Sequence, residues 1–143
     1  MRLDELTPGL EVGPSEWIDV PQARIDAFAD ATEDHQSFHV DAEAAARGPY
    51  GTTVAHGYLT LLLLPAVVFE LLPLEATAIN YGVDRVRFPA PVPSGSRIRA
   101  SLRVDRVEPV NGGVQVAMTA TAEREGGGDR PVCVAAMLFR YLA

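Results

Sequence analysis

The feature that most restricts the fold of this chain is an apolar segment, residues 58–72, which shows no polar face when it is placed on a helix. A helix that is apolar all round has to be buried on every side. A membrane span is the alternative, but a span needs roughly 20 apolar residues, whereas this segment is shorter, contains Pro65 and carries Glu70 near its end. We therefore expect a buried helix that is kinked at the proline.

After this helix the apolar pattern changes to the alternation typical of strands. Four such segments follow one another, at residues 78–88, 96–108, 114–125 and 132–142. The Asn-Gly-Gly turn at 111–113 predicts a hairpin between the second and third. A curved antiparallel meander wrapped around the helix would bury it, and a further strand near 15–19 could join the sheet. The predicted class is α+β.

The length of the chain and its edge strands set the expected assembly. With 143 residues, 48% of them hydrophobic, the chain is expected to form one domain over residues 1–143. A single curved sheet leaves a long edge strand unpaired, and pairing with a second copy removes that liability. We therefore predict a homodimer.

Charge and cysteine usage exclude several classes of partner. The net charge of −7, without any run of basic residues, argues against a nucleic-acid ligand. The first residues lack the apolar core of a signal peptide, so we expect a cytoplasmic protein with no membrane partner. Cys133, flanked by two valines, is expected to be a buried structural thiol.

An irregular segment at residues 33–40 separates two predicted helices. The first covers 21–32, with Asp19 as its proposed N-cap, and the second covers 42–47 after the cap residue Asp41. Loops held by rigid elements are where functional polar groups concentrate. The segment is a candidate functional site because it contains two of the three histidines of the chain.

Asp34 and His39 are the candidate catalytic pair within this segment. On a continuous helix they would lie on different faces, so they can meet only if the segment is not helical. A carboxylate and an imidazole in one small volume suit general acid–base chemistry. Two alternatives stay open: Asp34 caps the turn while His39 donates to a backbone carbonyl, or Asp34, His35 and His39 bind a metal ion.

A second candidate element is Gly57, which opens the apolar helix directly after His56. The first amides of a helix have no partner within it, and a glycine lets a ligand approach the backbone closely. Its N–H could hold an oxygen that gains negative charge during a reaction. His56 could orient this turn, and a glycine needed only for chain geometry is the alternative.

These residues resemble the MaoC-like dehydratases, and more narrowly the branch similar to nodulation protein N. The resemblance lies in Asp-His-Gln within residues 28–41 and Ala-His-Gly within 51–60. Shorter matches follow at 80–82, 86–88 and 91–92. It is good from about residue 15 to 95 and weak in the strands beyond.

The resemblance implies a hot-dog fold, in which a long central helix is wrapped by an antiparallel sheet, and a homodimer. It implies reversible addition of water to a trans-2-enoyl thioester by Asp34 and His39, with Gly57 as the oxyanion hole. His56, Thr60 and Tyr58 are the implied substrate-binding residues. No metal or other cofactor is implied, because coenzyme A or acyl carrier protein belongs to the substrate.

One departure and two alternatives accompany the resemblance. Some relatives carry a serine on the central helix, where this chain has Thr60 as the only hydroxyl of residues 60–65. A hot-dog thioesterase would usually carry an acid on this helix, but residues 58–69 contain none and Glu70 comes too late. A non-catalytic protein that binds acyl thioesters or a partner is the other alternative.

Overall fold

The computed structural model describes the whole chain, Met1–Ala143. A short 3-10 turn at Leu3–Glu5 precedes two short strands, β1 (Glu11–Val12) and β2 (Ile18–Val20). Five helices follow: α1 (Gln22–Thr32), α2 (Ser37–Val40), α3 (Ala42–Ala46), α4 (Gly57–Leu62) and α5 (Leu64–Leu71). The long strands are β3 (Thr77–Arg87), β4 (Ser96–Val110), β5 (Gly113–Arg124) and β6 (Cys133–Leu142). The four predicted long strands are thus confirmed within a few residues.

All strand pairs are antiparallel and belong to one six-stranded sheet. Its order is β1-β4-β5-β6-β3, and β2 also pairs with β4. Strands β4, β5 and β6 form the predicted meander, but β3 pairs with β6 rather than with β4. The expectation of a simple four-strand meander is therefore wrong. The proline-rich link after β3 takes the chain past β6 and β5, so that β4 is the third strand from β3 in the sheet.

The core lies between the concave face of the sheet and the apolar helices. Along β6, buried residues alternate with half-buried ones, as the two-residue period of a strand requires. Leu64, Val67 and Val68 of α5 are buried against this face. Cys133 is fully buried, and burial raises the pKa of its thiol to about 11, which confirms the expected inert thiol.

Pro65 divides the central apolar segment into two helices. It lies in the first turn of α5, where its missing N–H costs no helical hydrogen bond, and α4 ends at Leu62. The predicted interruption at Pro65 is confirmed. The expectation that the segment is buried on every side is wrong for the single chain, since 68% of Tyr58 and 60% of Leu62 are exposed.

The entry into α1 also differs from the prediction. Asp19 is not an N-cap, because it belongs to β2 and pairs with Arg97 of β4, and Pro21 occupies the cap position. At the start of α3 the prediction is confirmed, since Asp41 Oδ1 accepts a hydrogen bond from the amide of Ala44. None of the helices combines the length and the apolar character that crossing a bilayer requires.

Candidate active site

A backbone turn at Glu33 positions the first candidate residue, Asp34. Glu33 ends α1 in the left-handed conformation, with φ of +65°, which few residues other than glycine adopt. This turn reverses the chain, so that Asp34 precedes the short helix α2 instead of continuing α1. The amide of Gln36 donates weakly to Asp34 Oδ1 at 3.4 Å, and the side chain of Asp34 therefore lies at the start of α2.

His39 is held in a defined orientation on α2. The ring is buried, and Nδ1 donates to the carbonyl oxygen of Val54 at 2.7 Å. Because Nδ1 carries the proton of the neutral ring in this hydrogen bond, Nε2 keeps a free lone pair. Burial lowers the pKa of His39 below 6.5, against the opposing effects of the Val54 carbonyl and the Asp34 charge. The neutral ring can therefore accept a proton near pH 7.

His56 connects the other parts of the site. Its Nε2 lies 2.9 Å from the carbonyl oxygen of Asp34, to which it donates, and its ring stacks on His39 with centroids 3.8 Å apart. Phe28 of α1 packs on the same ring at 4.8 Å. His56 directly precedes Gly57, so one buried side chain at the start of α4 contacts both the Asp34 loop and the imidazole of His39.

The structure brings Asp34 and His39 together. One carboxylate oxygen of Asp34 and one ring nitrogen from each of His39 and His56 all lie within 4.8 Å of one another. A water that makes two hydrogen bonds of about 2.8 Å spans groups about 4.6 Å apart. The carboxylate and the imidazole therefore lie within the range that one bridging water can span. The hydrogen bond from His39 to a backbone carbonyl, expected as an alternative, is also present, on the other ring nitrogen.

Gly57 is the first residue of α4, where the backbone N–H has no partner within the helix. A Cβ built on Gly57 would lie 2.9 Å from two carbons of the Phe88 ring, too close for a real contact. A side chain at position 57 would therefore force the Phe88 ring to shift. The sequence left two reasons for the glycine open, space for a ligand and chain geometry, and did not indicate the contact with Phe88.

A cavity of about 400 Å³ lies beside this cluster. Three predicted residues line it, namely His39, Gly57 and Thr60. Asp34 and His56 are not among the lining residues. The cavity can therefore present a substrate to His39 and to the start of α4 together.

Sequence reasoning missed three further side chains of the cavity wall, Tyr50, Phe88 and Arg130. Tyr50 lies in a connection without a periodic pattern, Phe88 ends the predicted strand 78–88 and directly follows β3, and Arg130 lies in the glycine-rich loop before β6. The only signal in the sequence for these three cavity residues is that two are aromatic and one is basic, in segments close to the motifs.

Two other residues singled out in the sequence lie elsewhere. Tyr58 is largely exposed and packs edge-on against Phe88, at 6.2 Å between centroids, outside the cavity. His35 is exposed and pairs with Asp30 at 2.9 Å. The alternative metal trio with His35 is therefore wrong, because His56 rather than His35 joins Asp34 and His39.

Comparisons with known proteins identify the family of the chain. A sequence model of the MaoC like domain matches residues 5–126. The 3-hydroxyacyl-thioester dehydratase Z of Mycobacterium tuberculosis H37Rv is 49% identical over 138 residues, 94% of this chain and 91% of that protein. Nodulation protein N of Rhizobium leguminosarum bv. viciae is 55% identical over 95 residues, 64% of this chain and 59% of that protein.

A solved structure shows the same fold as this chain. R-hydratase PhaJ1 from Pseudomonas aeruginosa superimposes with a TM-score of 0.80 over 98% of this chain and 84% of that one, at 23% identity. The predicted α+β hot-dog fold is confirmed, and the family match extends beyond the predicted range of 15–95 at both ends. The chain therefore belongs to the family of MaoC-like domains.

Proposed function

We propose that Asp34 and His39 catalyse the reversible addition of water to a trans-2-enoyl thioester, which gives a 3-hydroxyacyl thioester. The chain is an enzyme of the hydratase–dehydratase class that acts on acyl thioesters, as the name of its 49% identical relative indicates. The observation that carries the residue assignment is the approach of the Asp34 carboxylate to a ring nitrogen of His39, within 4.8 Å and beside a cavity.

The mechanism follows from the hydrogen bonds of the pair. A water held between Asp34 and the free Nε2 of His39 loses a proton to one of the two groups as its oxygen bonds to C3 of the substrate. A proton returns from the pair to C2, so the reaction consumes one water and leaves the pair unchanged. The reverse sequence is the dehydration.

The thioester oxygen gains negative charge while C2 awaits its proton. The amide of Gly57, at the start of α4 and on the cavity wall, is the proposed donor to this oxygen. Thr60 lies one helical turn further on, and its side chain also lines the cavity, so its hydroxyl is the proposed second polar contact for the substrate. His56 contributes by holding the loop of Asp34 and the ring of His39, rather than by contacting the substrate.

This chemistry needs no metal and no redox cofactor from the protein. The thioester carrier, coenzyme A or acyl carrier protein, is part of the substrate. Arg130 on the cavity wall offers a positive charge for an anionic group of that carrier.

A homodimer is part of the proposal. Large apolar side chains of α4 and α5 are exposed in the single chain, namely Tyr58, Leu62 and Phe69. Ile79, Tyr81 and Val83 of the edge strand β3 are also exposed. Leu62 and Val83 line one groove between the helices and the sheet, so the two sets are continuous. A second copy that pairs along β3 would cover this surface, with Tyr58 in it, and would complete the burial of the central helices.

The thioesterase alternative gains no support from the site. The first acid after the start of α4 is Glu70, and its carboxylate accepts a hydrogen bond from the amide of Glu16 at 3.0 Å. Glu70 is not part of the cavity wall. A non-catalytic acyl-binding protein would have no use for a free imidazole nitrogen beside a carboxylate, so hydration remains the function that the geometry supports best.

Hydration of crotonyl-coenzyme A, followed by loss of the enoyl-thioester absorbance, tests the proposal. We expect Asp34→Asn and His39→Ala each to lower kcat by about 10²–10⁴-fold, the usual contribution of a positioned acid or base. Asp30→Asn and His35→Ala are matched controls, because these residues have the same types, lie close by and form an exposed pair outside the cavity.

Two results would contradict the assignment. One is full activity in both site variants while the fold is intact by circular dichroism. The other is binding of enoyl thioesters of several chain lengths without any turnover, which would instead support the non-catalytic alternative.

A further inference from the structure

Gln22, the first residue of α1, does not line the cavity, but its side chain joins the segments that carry the site. Its Nε2 donates to the carbonyl oxygen of His39 at 2.8 Å and to Asp26 Oδ1 at 2.9 Å. Its Oε1 accepts a hydrogen bond from Thr53 Oγ1 at 2.7 Å. One half-buried amide group therefore connects α1, α2 and the segment that leads into α4.

The three partners fix the orientation of the Gln22 amide group. A carbonyl oxygen and an ionised carboxylate only accept hydrogen bonds, so both must face the NH2 group, and the hydroxyl of Thr53 donates to the remaining oxygen. Both protons of the NH2 group are used in this way. An ionised glutamate has no proton to donate, and an apolar side chain of the same length forms none of the three bonds.

The segment of Thr53 is also the one that holds the ring of His39. The carbonyl of Val54, the next residue, accepts the hydrogen bond from His39 Nδ1, and the amide of Val54 donates to the carbonyl of Phe38 at 3.0 Å. The amide of Ser94 donates to the carbonyl of Thr53 at 2.9 Å, which attaches the segment to the link after β3. His39 is therefore held by Val54 at its ring and by Gln22 at its backbone.

The helix that begins with Gln22 also positions Asp34. It contains 11 residues and is therefore about 16 Å long, and the left-handed turn at Glu33 leads from its end into Asp34. The bond from Gln22 to the carbonyl of His39 thus fixes α2 against the same helix from which the carboxylate extends. Hydrogen bonds of this kind keep reacting groups in a productive geometry.

We propose that Gln22 is a positioning residue for hydration, which holds His39 at the distance from Asp34 that one water spans, without contacting the substrate. This role rests on the proposed function of Asp34 and His39. A misplacement of about 1 Å at a reacting group can lower the rate about 10²-fold, so loss of the Gln22 bonds should lower kcat. KM should change little, because Gln22 is not part of the cavity wall.

Steady-state hydration of crotonyl-coenzyme A at pH 8 tests this role. Gln22→Met removes all three bonds and should lower kcat about 10–10²-fold, with KM within about threefold of wild type. Gln22→Glu keeps the acceptor for Thr53 but loses the donor to His39, so its kcat should fall similarly. Thr53→Val should also lower kcat, by a smaller factor, whereas Thr53→Ser keeps the hydroxyl and should retain the wild-type value.

Arg24→Met is the matched control. Arg24 also lies in the first turn of α1 and donates through Nη1 to a backbone carbonyl at 2.9 Å, but this carbonyl belongs to Asp19 of β2. Its loss should lower the stability to urea without changing kcat. Circular dichroism shows whether each variant is folded under the assay conditions, and if Gln22→Met does not fold, the comparison of Thr53→Val with Thr53→Ser decides.

Three results would overturn the positioning role. They are a wild-type kcat in folded Gln22→Met, a loss that lies in KM alone, and an equal loss of kcat in Arg24→Met. A wild-type kcat in folded Thr53→Val, or the same loss in Thr53→Ser as in Thr53→Val, would contradict the part of Thr53. Absence of turnover in the wild-type protein would instead refute the proposed function itself.

Discussion

Replacing Gly57 with alanine tests the oxyanion assignment most directly. The added methyl would lie 2.9 Å from Cδ2 and Cε2 of Phe88, where ordinary contacts begin at 3.4 Å. Overpacking of this kind costs about 1–3 kcal/mol, and the gain of alanine over glycine in a helix offsets about 0.5–1 kcal/mol of it. Because the Phe88 ring is partly exposed and can shift, we expect a net destabilisation of about 1 kcal/mol or less.

The effect on activity should be much larger than the effect on stability. The methyl hinders the approach of the thioester oxygen to the Gly57 amide, and loss of one oxyanion donor costs about 10²–10³-fold in kcat, or about 2.7–4 kcal/mol. The measurements are kcat and KM for crotonyl-coenzyme A, together with the free energy of unfolding in urea.

A double variant separates the two effects of the methyl group. Gly57→Ala combined with Phe88→Leu removes part of the ring that the methyl meets, so stability should recover while kcat stays low. Phe88→Leu alone is the control for changes in the cavity wall. The oxyanion role is refuted if Gly57→Ala keeps kcat within about threefold of wild type, far less than one donor contributes, or if the double variant restores kcat in full.

Three further predictions concern stability and reactivity. Leu64→Ala in the core should lower the free energy of unfolding, measured in urea, by about 2–5 kcal/mol. A smaller loss would mean that neighbouring side chains fill the space that the leucine leaves. Since burial lowers the pKa of His39, its contribution to stability is complete above pH 6.5 and is lost as the pH falls through the folded-state value. Between pH 7.5 and 5, the free energy of unfolding measured in urea should therefore fall by up to about 1.4 kcal/mol per pH unit more than that of His39→Gln. Equal slopes for the two proteins would contradict this. Cys133, whose thiol pKa is about 11, should react with a disulfide reagent at pH 8 only after unfolding in urea, and fast labelling of the native protein would show that its burial is wrong.

Local patterns in the sequence predicted the elements that depend on neighbouring residues. The two-residue period of the long strands, the cap at Asp41 and the interruption at Pro65 were all predictable, because strand burial, capping and the missing proline N–H act over a few positions. The Asp-His-Gln and Ala-His-Gly motifs indicated the family. Nothing in those motifs reported the distance between Asp34 and His39.

Contacts between distant segments decided the rest. The pairing of β3 with β6 brings the link after β3, and with it Phe88, over the start of α4. The left-handed turn at Glu33 directs Asp34 toward His39, and the stacking of His56 on His39 joins segments that no local pattern relates. The sequence by itself determined which residue types were present for acid–base chemistry and which segments were apolar. Only the tertiary structure decided that these residues converge and that one side of the central helices stays uncovered. The reason is that both depend on packing between segments far apart in the chain, and the hydrophobic period of a single helix or strand does not determine such contacts.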